Sequence, residues 1–322
     1  MSTPLLDVIE LSKSFALKGG RRLLAVDRVS FTLGKGQTLG VVGESGCGKS
    51  TLGRLILGLL QSSSGSVRFK GQDLTLMPPD RMRDMRKHLQ VIFQDPHGAL
   101  DPRIKVGRLI EEPLIIHRMG GATERQAEVA RLLETVGLPA EAASRYPHEF
   151  SGGQRQRICI ARALALKPEL IVADEPVSAL DVSIQSQVLN LLVDLQRQRG
   201  LSYVFISHNL AVVKYVSDIV AVMYLGRVVE MGVAEQVFSQ PKHPYTQALL
   251  AAIPEPDPDA MLAQSRSEQL LGELPGPDDL PSGCRFHPRC IHAMERCRRE
   301  APLSIRVGEP GQFHWVECHL WA

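Results

Sequence analysis

No uncharged apolar stretch in the 322 residues approaches the roughly 20 needed to cross a bilayer, so if this chain works at a membrane another chain must anchor it. The opening residues, Met1-Ser2-Thr3-Pro4, lack the basic and apolar regions of a secretory signal. A charge of one sign is also missing: 37 basic against 35 acidic residues leave +2, so no global field points to nucleic acid or to an acidic partner. Internal repeats and low-complexity tracts are absent, so neither a repeat array nor a biased disordered tract is expected. What remains is an ordinary globular composition, 44% hydrophobic, long enough for a large core with one or two smaller appendages.

The chain is best read outward from Gly43-Glu44-Ser45-Gly46-Cys47-Gly48-Lys49-Ser50-Thr51, which meets the phosphate-binding template G-x-x-x-x-G-K-[ST] at every fixed position. Thr38 to Val42 before it is a short apolar run suited to a buried parallel strand. Thr51 to Leu60 after it carries apolar residues at helical spacing. In this strand–loop–helix setting the glycines let backbone N–H groups turn toward phosphate oxygens, and the helix N-terminus adds partial positive charge. Lys49 is expected to reach the β- and γ-phosphates and the Ser50 hydroxyl to ligate Mg²⁺.

Leu6 to Leu11, Leu24 to Asp27 and Val29 to Leu33 alternate in the manner of strands and predict an antiparallel layer ahead of the loop. Phe15 lies in this layer, either as a packed aromatic or as a ring that stacks on adenine. A charged helix is expected from Pro78 to His88, then a buried strand Leu89 to Phe93 with Gln94 at its carboxyl end, the end where α/β sheets bind ligands. Residues 101 to about 149 read as mostly helical, and Thr123 with Gln126 has the spacing of a capping box. Ser151-Gly152-Gly153-Gln154 opens a further helix whose small N-terminal residues leave its first N–H groups open to an anion.

Leu170 to Ala173 delivers Asp174 and Glu175 at a strand's carboxyl end, a Mg²⁺ partner and a candidate base for water in a chain that already holds a phosphate loop. Ser178-Ala179-Leu180-Asp181 and a long helix, about 183–199, follow. Another buried strand, Leu201 to Ser207, ends at His208, and Ile219 to Leu225 with Arg227 to Gly232 closes as a hairpin around Gly226. Beyond residue 232 prolines interrupt any long element, so a main domain over 1–232 and an extension over 233–322 are expected, the extension helical around Tyr245 to Ala252 and then loop-rich.

Six cysteines are unevenly spread, with Cys284, Cys290, Cys297 and Cys318 crowded in the extension. Without an export signal, metal ligation is favoured there over a disulfide framework. Their spacing, with five, six and twenty residues between them, is neither a zinc ribbon nor a ferredoxin run. Four thiolates suit tetrahedral Zn²⁺ or a 4Fe-4S cluster, with four unligated structural cysteines as the remaining alternative. His287, His292 and His319 nearby are read as solvated loop residues.

The phosphate loop, Gln94, Ser151-Gly152-Gly153-Gln154, Asp174-Glu175, Ser178 to Asp181 and His208 occur in the order and spacing of an ATP-binding cassette ATPase, a resemblance that covers almost the entire chain. It implies an α/β fold: a P-loop NTPase core with a RecA-like parallel sheet, an antiparallel β subdomain, a helical signature subdomain over about 101–165, and a cysteine-containing extension. It also implies that two cassettes face head to tail, with ATP between one phosphate loop and the other's Ser151–Gln154 stretch. Glu175 would polarise water, Asp174 and Ser50 would position Mg²⁺, Gln94 would contact metal and water, His208 would hold the γ-phosphate, and Asp181 would align the opposite site. Phe15 falls where the family commonly places a Tyr, and Phe150 stands before the signature where Leu is common.

Lys242-His243-Pro244-Tyr245-Thr246-Gln247-Ala248-Leu249-Leu250, Gly272 to Gly276 and Gly283-Cys284-Arg285-Phe286-His287-Pro288-Arg289-Cys290 resemble the tail of ATPase subunits from oligopeptide and dipeptide importers, a tail shared with relatives that move nickel or other small solutes. The resemblance implies a peripheral subunit on the cytoplasmic face of the membrane. Its expected partners are a second, non-identical cassette, two transmembrane permease chains and, indirectly, an extracytoplasmic solute-binding protein. It also tips the four cysteines toward the 4Fe-4S cluster. Two rivals are a soluble cassette ATPase acting on nucleic acid or ribosomes and a tail that serves as a metal-binding regulatory or docking module. Only 56 residues separate Gln94 from Ser151, which leaves no room for a long coiled-coil insertion and disfavours the first.

Overall fold

Alternating buried and exposed residues over Leu6–Ala16 and Arg22–Leu33 produce two long strands, β1 and β2, which pair antiparallel with Leu6 opposite Leu33 and Phe15 opposite Leu23. The computed structural model describes residues 4–252, 275–276, 280–308 and 313–322. The described chain divides into two compact units, one made of residues 1–33, 38–75 and 207–322 and the other of residues 34–37 and 76–206. Gly272 to Leu274 of the tail motif, and several of the extension's prolines, fall outside the described residues.

In the first unit, β3 (Thr38–Val42) is buried at every position, and α1 (Lys49–Ile56) follows it after the phosphate loop. β4 (Ser64–Phe69) adds antiparallel to β1, and β5 (Gln72–Asp73) adds to β4, so the expected antiparallel layer is present in the order β2-β1-β4-β5.

The second unit begins with α2 (Pro79–Met85) and β6 (Leu89–Ile92), followed by the short α3 (Pro96–Ala99), α4 (Val106–Ile116) and α5 (Ala122–Thr135). α6 (Gly152–Leu164), β7 (Leu170–Asp174), α7 (Val182–Arg199) and β8 (Ser202–Ile206) complete it. β6, β7 and β8 are parallel neighbours in the order β8-β7-β6, with Ala173 opposite both Ile92 and Phe205. The near-continuous burial of β7 and β8 matches the apolar runs that parallel strands require. The start of α5 differs from the expected Thr123–Gln126 box. Gly121 is the N-cap, and the Glu124 carboxylate accepts its N–H at 2.7 Å, so Thr123 lies inside the first turn.

The chain then returns to the first unit with α8 (Leu210–Val216), β9 (Ile219–Tyr224), β10 (Arg227–Val233), α9 (Ala234–Ser239) and α10 (Pro244–Ala251). β9 lies parallel to β3 and antiparallel to β10, the expected hairpin around Gly226. The tail adds β11 (Ile305–Arg306) and β12 (His314–Val316), and β12 pairs with β10, Glu230 opposite Val316. Val307, Val316 and Cys318 form a small buried nucleus here, with Ile305 against it.

Candidate functional site

The phosphate loop of the first unit owes its shape to two glycines in conformations that L side chains rarely adopt. Gly43 has φ +151 and Gly48, the N-cap of α1, has φ +107. A Cβ on Gly48 would meet the Ala25 carbonyl oxygen of β2 at 2.1 Å, and one on Gly43 would meet that of Met223 on β9 at the same distance. The loop is thus pressed onto two strands. Lys49 is buried, and its ammonium donates to the carbonyls of Gly43 at 2.7 Å and Glu44 at 2.9 Å, closing the loop around its own cation. Ser45 and Gly46 are exposed at the tip, and Ser50 and Thr51 occupy the first turn of α1. Cys47 is buried, which pushes its thiol up despite the opposing field of Lys49.

Two further predicted residues belong to this unit. Ser207 donates its N–H to the Val41 carbonyl at 3.1 Å, so exposed His208 leaves the backbone beside the strand that feeds the loop. Asn209 then caps α8 by accepting the N–H groups of Ala211 and Val212. Phe15 is half-buried on β1, with the Lys13 ammonium 5.2 Å from its ring centroid.

The second unit brings its own predicted residues together. Gln94, just past β6, donates from Nε2 to Glu175 Oε2 at 2.9 Å. Asp174 ends β7, and Glu175 follows with φ +48, a strained conformation for a non-glycine residue, held by its N–H to the Ile206 carbonyl at 2.9 Å. Ser151 caps α6: its Oγ accepts the Gln154 N–H at 3.3 Å, and Gln154 Oε1 accepts the Ser151 N–H at 3.0 Å. Gly153 is buried where a Cβ would meet Ile184 Cγ2 at 2.3 Å. Exposed Asp181 is the N-cap of α7. Within this unit Asp174 and Gln94 offer carboxylate and amide oxygens, hard donors of the kind that suit a divalent cation such as Mg²⁺.

In the extension, Cys284, Cys290, Cys297 and Cys318 are free thiols. Burial, and then the neighbouring Cys297, Cys318 and Cys290, push Cys284 up to about 11. Cys318 is pushed up to about 11 by burial and then by Cys290 and Cys297. Among the described residues no three of His, Cys, Asp and Glu are placed to hold a metal ion. His319 is buried, not solvated as expected, because its Nε2 pairs with the Glu300 carbonyl at 2.9 Å. His287 Nδ1 pairs with the Cys284 carbonyl at 2.9 Å.

The sequence reading missed Arg289 and Tyr245 as contacts of the phosphate loop, together with a buried acid–histidine group. Glu230 accepts the N–H groups of Lys242 and His243 at 2.7 and 2.9 Å and lies 2.7 Å from His314 Nε2. His243 caps α10 by accepting the Tyr245 N–H on Nδ1 at 3.0 Å, and burial pushes its pKa down to about 4, the field of Glu230 opposing. No sequence signal short of the quoted tail motif marks these residues. No helix among the described residues is long and apolar enough to cross a membrane.

Comparison with known proteins finds relatives over nearly the whole chain. A family model described as ABC transporter matches residues 26–178, and one described as oligopeptide/dipeptide transporter, C-terminal region, matches residues 229–297. The dipeptide transport ATP-binding protein DppF of Haemophilus influenzae is 52% identical over 306 residues, 94% of this chain and 93% of that protein. The putative oligopeptide transport ATP-binding protein YkfD of Bacillus subtilis is 50% identical over 320 residues, 99% of this chain and 96% of that one. Among solved structures, the ATP-binding cassette MJ0796, a dimer in a post-hydrolysis state bound to ADP and Pi, superposes with a TM-score of 0.65 at 27% identity, covering 71% of this chain and 98% of that chain. CbiO1 of Clostridium perfringens, part of the transporter complex cbiONQ, superposes with a TM-score of 0.66 at 26% identity, covering 74% and 92%.

Proposed function

Because the chain belongs to the ATP-binding cassette (ABC) transporter family, in its oligopeptide/dipeptide branch, we propose that it is the ATP-hydrolysing subunit of an importer of di- and oligopeptides. The observation that carries this reading is the presence in one chain of the cassette match over 26–178 and the peptide-transporter tail match over 229–297. Residues 1–232 serve as the nucleotide-binding domain, with a helical subdomain over about 101–165, and residues 233–322 as the extension.

ATP is held between the phosphate loop of one cassette, Gly43 to Thr51, and the Ser151-Gly152-Gly153-Gln154 helix start of a second. One phosphate loop leaves the outer face of the γ-phosphate open, and a second helix N-terminus fills it with N–H donors. Phe15 stacks on the adenine. Lys49 exchanges its loop carbonyls for the β- and γ-phosphates, and His208 donates to the γ-phosphate. Glu175 accepts the proton of the attacking water and Gln94, already bonded to that carboxylate, orients the pair. Asp181 aligns the opposite site. Ser50, Asp174 and Gln94 would hold Mg²⁺, which would supply positive charge to offset that of the phosphates.

The partners are a second, non-identical cassette and two membrane-spanning permease chains, with an extracytoplasmic solute-binding protein acting through them, and the subunit docks on the cytoplasmic face. Support for pairing comes from the dimeric cassette among the solved structures. Cys284, Cys290, Cys297 and Cys318 would be the donor set for a thiolate-held group, a 4Fe-4S cluster first and Zn²⁺ as the alternative; that all four are free thiols supports this, and no step of hydrolysis runs through it. Purification from solubilised membranes, with metal analysis, tests the proposal. Two permease chains and a second cassette should co-purify, and dipeptides presented with the solute-binding protein should stimulate ATP hydrolysis. Stimulation by nickel alone, or co-purification with nucleic acid or ribosomes, would contradict it.

A further inference from the structure

Glu44, the second residue of the phosphate loop, is held from three directions. Its carbonyl accepts from Lys49 at 2.9 Å, its N–H donates to Tyr245 Oη at 2.9 Å, and its carboxylate accepts both terminal nitrogens of Arg289, at 2.7 and 3.0 Å. Two of the three holders come from the C-terminal extension, Arg289 being 245 residues further along the chain.

The surroundings of this pair are built. The Arg289 side chain is 6% exposed and its guanidinium stands 5.8 Å from the Tyr224 ring centroid. Tyr224, Tyr245 and Phe286 pack ring to ring at 4.7 to 5.5 Å, and both tyrosines are fully buried. An ion pair with its arginine buried and its carboxylate half-buried is a poor way simply to dock a tail, because apolar side chains of similar volume do that as well or better. A two-pronged Arg–carboxylate bond instead fixes direction, and here the thing fixed is a loop residue.

The direction matters when nucleotide arrives. Lys49 must release the carbonyls of Gly43 and Glu44 to reach the phosphates, and the loop then keeps only the 3.3 Å bond from the Cys47 N–H to the Glu44 carbonyl as an internal restraint on Glu44. Tyr245 and Arg289 are the holders from outside the loop, and the Arg289 pair alone grips the Glu44 side chain. Arg289 is in turn set by the cysteine module. It ends the turn His287–Arg289 and donates its N–H to the Phe286 carbonyl at 3.0 Å, and Cys290 comes next. Cys284, five residues before Arg289, bonds through its N–H to the Cys297 carbonyl at 2.8 Å.

We propose that Arg289 is a positioning residue for ATP, a clamp on Glu44 that keeps the phosphate loop in its nucleotide-accepting shape, so that the state of the four-cysteine module sets the affinity of the ATP site. The proposal rests on ATP binding at Gly43 to Thr51. The test is ATP binding by the full chain, measured by calorimetry on Arg289→Lys, Glu44→Gln and the double variant, with thermal unfolding followed in parallel. Each single variant keeps the volume and most of the polar character of the original side chain. Each should weaken ATP binding about tenfold while the unfolding midpoint shifts by no more than about 3 °C, and the double should be no weaker than the worse single. Cys290→Ser should weaken binding in the same direction and add less than about twofold in the Arg289→Lys background. Unchanged affinity in Arg289→Lys, or single effects that multiply in the double, overturns the clamp. Failure of the unmodified chain to bind ATP removes the reading beneath it instead.

Discussion

Replacing Gly48 by alanine sets the steric demand of the phosphate loop against a measurable control. At φ +107 an alanine carries backbone strain of about 1–2 kcal/mol. Its Cβ would also stand 2.1 Å from the Ala25 carbonyl oxygen, so the loop must move away from β2 by roughly 1 Å, at a cost of about 1–3 kcal/mol as in other overpacked sites. Gly46 has φ +80 but nothing within 4 Å of its would-be Cβ, so Gly46→Ala carries the first cost without the second. Gly48→Ala should therefore be destabilised by about 2–5 kcal/mol and Gly46→Ala by about 1–2, the difference isolating the contact with β2. Denaturant unfolding of the full chain measures both. ATP titration should show Gly48→Ala weakened by tenfold or more, since every 1.4 kcal/mol of misplacement is about tenfold. Equal stability of the two variants, or tight ATP binding by Gly48→Ala, would refute the argument that the loop is shaped by its seat on β2.

Two other outcomes follow from burial. His243 is neutral in the fold, with a pKa pushed down to about 4 from an ordinary 6.5, so the unfolded chain binds the extra proton first. Stability should be fully present above pH 6.5 and fall as pH drops toward 4, by at most about 3 kcal/mol, with His243→Gln flattening that slope in denaturant titrations across the window. Cys159 is buried and pushed up to about 12, and Cys47 is buried and also raised, so both should resist N-ethylmaleimide in the native chain; rapid labelling of either, read by mass spectrometry, contradicts the burial.

What was legible in the sequence was local. The strand, loop and helix around Gly43 to Thr51 could be read because turn chemistry and periodicity lie within twenty residues, and the same holds for the strand that carries Asp174 and Glu175. The start of α5 was misread because Gly121 caps without a side chain, while Thr123 has the right chemistry at the wrong position. β12 has three residues and no period to detect, and its pairing with β10 spans about eighty residues of chain. The His314–Glu230 pair joins ordinary surface-type residues 84 positions apart and the Arg289–Glu44 pair residues 245 apart, so neither burial nor partner shows in composition or spacing. The same holds for the burial of His319.

The most direct measurement is the ATP turnover of the assembled transporter with Glu175→Gln in this subunit, alongside its ATP affinity. The substitution keeps the partner of Gln94 and removes the carboxylate charge that draws the proton from water. Hydrolysis at this subunit's phosphate loop should fall by about a hundredfold or more while ATP remains bound. Turnover there within about threefold of the unmodified assembly would contradict the account.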